Sequence, residues 1–320
     1  MIDQERLSVN FCGHSFQNPV LTASGTCGNG IEISGINTVN PSALGGFVTK
    51  AVTLEPREGN SSQRITEVTG GILNSIGLQN SGIDNFLLRE LPWASEQLSC
   101  SDVNIIVNVS GFAVDDYVEV SKHILEFIEQ NVTNVRFIEL NVSCPNTDKI
   151  PFGVVPDSTA EIVSKVRAVV GDKLRLIVKL TPADLYGIPE VALAAEAAGA
   201  DAISAINTIP AMDIDVTTKK PVLGNITGGL SGPAILPVGL KVIYDLYRSG
   251  LKIPIIGIGG ISNWEDALKY ILAGASLVGI GTAGMINPSV YQRIIDRLQQ
   301  YCIDNDTSIS ALIGTIHTAP

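Results

Sequence analysis

The sequence predicts an α/β fold of the (β/α)₈ TIM-barrel class, with an N-terminal hairpin and long loops at the C-terminal face. Three observations carry that expectation: eight short apolar runs, a helical pattern after most of them, and polar or glycine residues where the runs end. The runs are Pro19–Ala23, Gly46–Thr49, Asn104–Val109, Arg136–Val142, Leu174–Leu180, Ala202–Asn207, Pro254–Ile258 and Leu277–Ile280. They are rich in Val and Ile and lack polar alternation, as strands buried on both faces of a parallel sheet require. Between them Val114–Glu129, Ser158–Val170, Pro189–Ala198, Pro237–Tyr247, Trp264–Ala273 and Ser289–Tyr301 space apolar residues at three and four, the helical period.

Ahead of the first run, Gly13 in Phe11–Phe16 predicts a small hairpin closing the bottom of the barrel. Two connections, Ala51–Asp84 and Thr208–Gly232, are longer than a barrel needs. Each follows a strand, so both fall on the C-terminal face, where barrel enzymes keep their active sites. A doubly wound sheet would be expected to carry G-x-G-x-x-G after its first strand, whereas Ser24–Gly30 spaces its glycines otherwise. No linker composition divides the chain, so residues 1–320 are expected to form one domain.

Composition narrows the function. Of 320 residues, 45% are hydrophobic and 17% charged, which excludes a disordered chain. A net charge of −11 without a basic cluster argues against nucleic acid or an anionic membrane surface as partner. Cys12, Cys27, Cys100, Cys144 and Cys302 are dispersed, with no C-x-x-C pair to hold zinc or an iron–sulfur cluster, and suit a reducing cytosol. Neither a signal-peptide pattern nor an apolar run of membrane-spanning length is present, so a cytoplasmic location is expected.

Residues at strand ends point into the catalytic mouth of such a barrel. They are Ser24, Lys50, Asn108, Asn141 with Cys144, Lys179, Asn207 with Thr208, Gly259 with Gly260, and Gly281 with Thr282. This set has no Asp, Glu or His, which disfavours a Ser-His-Asp triad, a histidine metal site or paired carboxylates. Glycines after the last two strands, each followed by a helix, offer backbone N–H groups to a phosphate. Lys50 and Lys179 each end an apolar run, where a buried ammonium calls for a compensating anion. They fit either Schiff-base chemistry or electrostatic contact with an electron-rich cofactor and an anionic substrate. The amides of Asn74, Asn108, Asn141 and Asn207 suit a planar heterocycle with N–H and C=O edges. Cys144, beside them, is the candidate base; Cys27 competes from another strand end with no comparable polar cluster.

Several segments together resemble one family. Asn141-Val-Ser-Cys-Pro-Asn146, Val48-Thr-Lys50 with Thr53–Asn60, Leu73–Asn80, Asn225–Pro233 and Ile256–Gly260 are similar to the class 1 dihydroorotate dehydrogenases, most closely the 1B type. The similarity runs from about Leu7 to His317. It implies an FMN-bearing barrel that oxidises (S)-dihydroorotate to orotate in pyrimidine synthesis. Cys144 would take the C5 proton as the C6 hydride passes to FMN, and Lys50 would touch flavin and substrate. Asn74, Ser75, Ile76, Gly77, Leu78, Asn141, Asn207 and Thr208 would surround the substrate. Ser24, Ala51, Asn108, Asn141, Lys179, Ile206 and Gly232 would line the flavin, with Gly259, Gly260, Gly281 and Thr282 at its phosphate. Thr147–Val154 would close over the site.

The 1B resemblance also implies a homodimer joined by a second subunit carrying FAD and a [2Fe-2S] cluster, a heterotetramer passing electrons to NAD⁺. Fumarate is the acceptor in the 1A type. Three positions depart from the family's usual pattern: Ser61-Ser62 in place of two prolines, Cys27 in place of an aromatic, and Thr147–Gly153 without a glycine pair. Two rival functions are a flavin barrel acting on another dihydropyrimidine and a non-redox lyase using a lysine Schiff base.

Overall fold

The computed structural model describes residues 5–30, 40–98, 103–144 and 151–317. Eight parallel strands close a barrel in strictly sequential order. They are β1 (Val20–Thr22), β2 (Gly46–Val48), β3 (Asn104–Val109), β4 (Val135–Asn141), β5 (Arg175–Lys179), β6 (Ala202–Ala205), β7 (Ile255–Ile258) and β8 (Leu277–Ile280). Each lies within or within one residue of an expected run. Most strand residues are buried whichever way they point, because side chains fill the barrel interior on one face and meet helices on the other.

The helices begin and end within a few residues of expectation, but Gly82–Leu98 is an additional helical segment that the apolar spacing did not announce. Three consecutive segments build it: a short α-turn Gly82–Asn85, a π-helical turn Phe86–Glu90 and the α-helix Leu91–Leu98. The wide middle turn interrupts the 3.6-residue period on which the sequence expectation relied.

The hairpin pairs Val9–Phe11 with His14–Phe16. Cys12 (φ 52°) and Gly13 (φ 84°) form its two-residue turn, and both have the positive φ that matches the right-handed twist of a tight hairpin. Phe11 and Phe16 stand 5.9 and 5.6 Å from the ring of Phe137 near the start of β4, and His14 stands 5.2 Å from it. The bottom of the barrel is therefore plugged by aromatic packing, as the sequence suggested.

The two long connections are one structure. Ile65–Val68 and Gly71–Asn74 from the first pair with Gly228–Ser231 and Ile209–Ala211 from the second in a four-stranded antiparallel sheet. That sheet stands over the C-terminal ends of the barrel strands and fixes Asn74 opposite Gly229.

Candidate functional site

Cys144 follows β4 and is 6% exposed. Burial pushes its thiol up to about 11, with the Ser110 hydroxyl, the Arg57 charge and the Tyr117 hydroxyl each offsetting part of that rise. Tyr117, fully buried on the helix after β3, donates to Asn141 O at 2.8 Å. Arg57 is held by its guanidinium 4.3 Å over the Phe112 ring and by backbone pairing with Asn80. Neither Ser110, Tyr117 nor Arg57 was expected at the site. Their signal was weak: a serine and a tyrosine within ordinary core positions, and an arginine in a loop.

Past Cys144 the described chain resumes at Pro151. Phe152 N donates to Cys144 O at 3.1 Å and Gly153 N to Val142 O at 2.8 Å, so this arm of the expected lid is tied to the end of β4. A side chain at Gly153 would place its Cβ 2.8 Å from Val142 Cγ2, which is why the close approach takes glycine. Residues 147–150 of that lid, and Pro145 and Asn146 of the motif, lie outside the described residues.

An amide and hydroxyl cluster adjoins the thiol. Asn207 Nδ2 donates to Ser143 Oγ at 2.6 Å and to Asn141 Oδ1 at 3.2 Å, Ser143 Oγ donates to Asn141 Oδ1 at 2.7 Å, and Thr208 N donates to Asn207 Oδ1 at 2.7 Å. These bonds lock the amides of two strand ends in one orientation, as a binding site for a polar heterocycle needs. Asn74 Nδ2 reaches Gly229 O at 3.2 Å across the antiparallel sheet. After it, Ser75–Leu78 is an irregular segment held by Asn60, which bonds Ser75 O and Ile76 O, and by Asn80, which bonds Leu78 O. Leu78 sits at φ 57°, a left-handed conformation that costs a non-glycine residue about 1–2 kcal/mol. Strain of this kind clusters at ligand-binding segments.

The two lysines part company. Lys50 is half-buried, its backbone N–H is shared between Gly28 O at 2.9 Å and Asn29 Oδ1 at 3.0 Å, and among the described residues its ammonium forms no ion pair. Asn29 in turn bonds Glu90, which Ser81 also meets, so the Gly82–Leu98 segment braces the end of β2. Lys179, by contrast, is 5% exposed, with its Nζ 3.8 Å from Glu139 Oε2. Glu139 is a carboxylate that the strand ends did not include: it lies within the run Arg136–Val142, disguised by apolar neighbours. Its compensating charge also leaves Lys179 less in need of an external anion than the sequence suggested.

The glycine turns are built tightly. Gly259 (φ 131°) and Gly260 (φ 74°) follow β7; Tyr270 Oη donates to Gly259 O at 2.7 Å, and a Cβ on Gly260 would come 2.6 Å from Leu236 N. Gly281 precedes the turn of helix Thr282–Ile286, and Thr282 Oγ1 donates to Ser231 Oγ at 2.8 Å beside Gly232. Ser24 Oγ donates to Thr49 O at 2.9 Å, and Ala51 and Ile206 are buried at their strand ends. The structure thus gathers the sequence-predicted residues around one mouth. Cys27 is the exception in character: it is 3% exposed, with Sγ 3.2 Å from Tyr291 Oη, and Tyr291 donates to Ile280 O at 3.2 Å. Its thiol is hydrogen-bonded to the Tyr291 hydroxyl within the buried core.

Comparison with known proteins gives a consistent result. A family model described as dihydroorotate dehydrogenase matches residues 6–302. The chain is 44% identical over 313 residues to a Parabacteroides distasonis protein named dihydroorotate dehydrogenase B (NAD(+)), catalytic subunit, covering 97% of this chain and 98% of that one. A Geobacillus protein of the same name is 46% identical over 295 residues, covering 92% of this chain and 90% of that one. Among solved structures, the crystal structure of DHODH in complex with ferulenol from Eimeria tenella superposes with a TM-score of 0.80. It is 24% identical, covers 99% of this chain and 90% of that one, and is a likeness of fold. Among the described residues no helix is long and apolar enough to cross a membrane.

Proposed function

The chain belongs to the dihydroorotate dehydrogenase family, and from that premise we propose that its barrel mouth oxidises (S)-dihydroorotate to orotate in pyrimidine biosynthesis, with Cys144 as the base and FMN as the hydride acceptor. The observation that carries the residue assignment is the buried thiol of Cys144 at the end of β4, next in the chain to Ser143, whose hydroxyl is locked to the amides of Asn141 and Asn207.

Two features support a fit to FMN. Asn108 Oδ1 is buried without a hydrogen-bond partner, an acceptor suited to a ring N–H. Gly260 follows a turn where a side chain would collide with Leu236, leaving backbone N–H groups for a phosphate. Ser24, Lys50, Ala51, Asn108, Asn141, Lys179, Ile206 and Gly232 would line the ring and ribityl chain, and Gly259, Gly260, Gly281 and Thr282 the phosphate. FMN, when bound, supplies the acceptor for the hydride leaving C6.

The chain's own residues do the rest. Lys50 and the amides of Asn74, Asn141 and Asn207, with the backbone of Ser75–Leu78 and Thr208, bind the pyrimidine and its carboxylate. Cys144 Sγ removes the C5 proton. Its raised thiol must first lose a proton, so Ser110, Tyr117 and Arg57 matter as the groups that favour the thiolate. Substrate entry would exclude water from this mouth and strengthen those contacts.

The relatives' name, which calls them a catalytic subunit, supports a partner subunit. We assign to it FAD and a [2Fe-2S] cluster passing electrons to NAD⁺, in a heterotetramer built on a homodimer of this chain, in the cytoplasm. The test is anaerobic: the purified protein carries flavin absorption that dihydroorotate bleaches and dihydrouracil does not. Absence of flavin, or bleaching by dihydrouracil alone, overturns the reading. Co-expression with the partner should add dihydroorotate-dependent NAD⁺ reduction; fumarate reduction by the lone chain would overturn the NAD⁺ assignment.

A further inference from the structure

Glu139 is 1% exposed in the middle of β4, and the proposed chemistry gives it no task. Side chains from the two strands flanking β4 and from β6, one strand further round the barrel, converge on its carboxylate. Asn108 Nδ2 from β3 donates to Oε2 at 2.5 Å, Ser204 Oγ from β6 donates to Oε1 at 2.6 Å, and Lys179 Nζ from β5 lies 3.8 Å from Oε2. Burying a charge pair here is costly, and apolar side chains in place of both Glu139 and Lys179 would fill the space at less expense in stability. The polarity it imposes is specific. An ionised carboxylate only accepts, so the Asn108 amide must turn its NH₂ toward Glu139 and leave Oδ1 as the free acceptor. The same carboxylate partly neutralises Lys179.

We propose that Glu139 is a positioning residue for the flavin: it presents Asn108 as an acceptor and Lys179 as a tempered cation, and thereby holds the flavin's reduction potential down. This rests on the FMN reading above. Two-electron reduction adds negative charge to the ring system; Lys179 favours that form and Glu139 opposes it. A potential held down eases the onward transfer of electrons that a subunit-linked enzyme needs.

The experiment is anaerobic equilibration of the FMN-loaded protein with a reference dye. Glu139→Gln, which keeps shape but removes the charge, should favour reduced over oxidised flavin about tenfold more than the native protein does, a rise of about 30 mV for a two-electron couple. Glu139→Asp keeps the charge and withdraws it by one methylene, so its potential should fall between the two. Native potentials in both variants, even with lowered thermal stability, would make Glu139 a purely structural residue, and a lowered potential would equally overturn the proposal. If Glu139→Gln does not fold, the Glu139→Asp potential decides alone: a rise sustains the proposal and a native or lower value refutes it. A native protein that neither carries nor takes up FMN fails at an earlier step and refutes the FMN reading instead.

Discussion

At the closed end of the barrel Asp201 meets Arg167 and Arg175 with side chains 20–32% exposed, beside an aromatic plug around Phe137. At the mouth Lys179 and Glu139 pair with their side chains 7% and 2% exposed, wrapped in amides and hydroxyls. Water reaches the lower charges and screens them, so each such pair contributes at most about 1 kcal/mol. The upper pair has no such relief, and losing either partner would cost about 3–5 kcal/mol. The contrast separates two uses of similar residues. The bottom is stabilised by apolar packing with charge at its rim, whereas the mouth keeps costly polar groups because a ligand must be recognised there.

The sharpest way to break this contrast is at the thiol. Cys144→Ser should slow dihydroorotate-dependent flavin bleaching at least about 10²-fold at neutral pH while flavin content stays native, as a lost general base requires; stopped-flow absorbance would read it. At the other end Phe137→Ala should lower stability by about 3–5 kcal/mol in urea unfolding with the bleaching rate of the folded protein unchanged. A large rate loss there would mean that the two ends are not separable.

The pH dependence follows from burial of the thiol. With the Cys144 pKa pushed up to about 11, the thiolate grows as pH rises, so bleaching at low substrate should accelerate about tenfold per pH unit from pH 6 to 9 without a plateau. A plateau near neutrality would assign the base elsewhere. Leu78→Gly should relieve a left-handed residue, leaving stability unchanged or raised by about 1 kcal/mol while weakening dihydroorotate binding through a looser loop. Smallest of all, Cys27→Ser should leave bleaching within about twofold of native, because its thiol packs on Tyr291 rather than facing the amides. If that variant is inactive, Cys27 and not Cys144 is the base.

The barrel was legible because its strands read as apolar runs and the plug because a Cys-Gly turn sits between aromatics. The strand-end amides and lysines were legible for the same reason: polarity stands out after an apolar run. Glu139 was not, since it stands inside such a run and its partners come from strands 31 to 65 residues away. Tyr117 and Tyr270 were also hidden, their helical spacing being that of core residues although their hydroxyls hold Asn141 and Gly259. The joining of two long connections into one sheet depends on pairing across more than 130 residues, which no local pattern encodes.

Strand β4 carries a further consequence. Its alternate residues Phe137, Glu139 and Asn141 meet the plug, the buried cation and the amide cluster in turn. Side chains on a strand alternate faces, so a slip of one residue would present Arg136, Ile138 and Leu140 in their place. One register therefore serves foundation, charge and recognition together. A single-residue insertion or deletion in this strand cannot damage one of them and spare the others, which leaves point substitution as the route by which this part of the site can change.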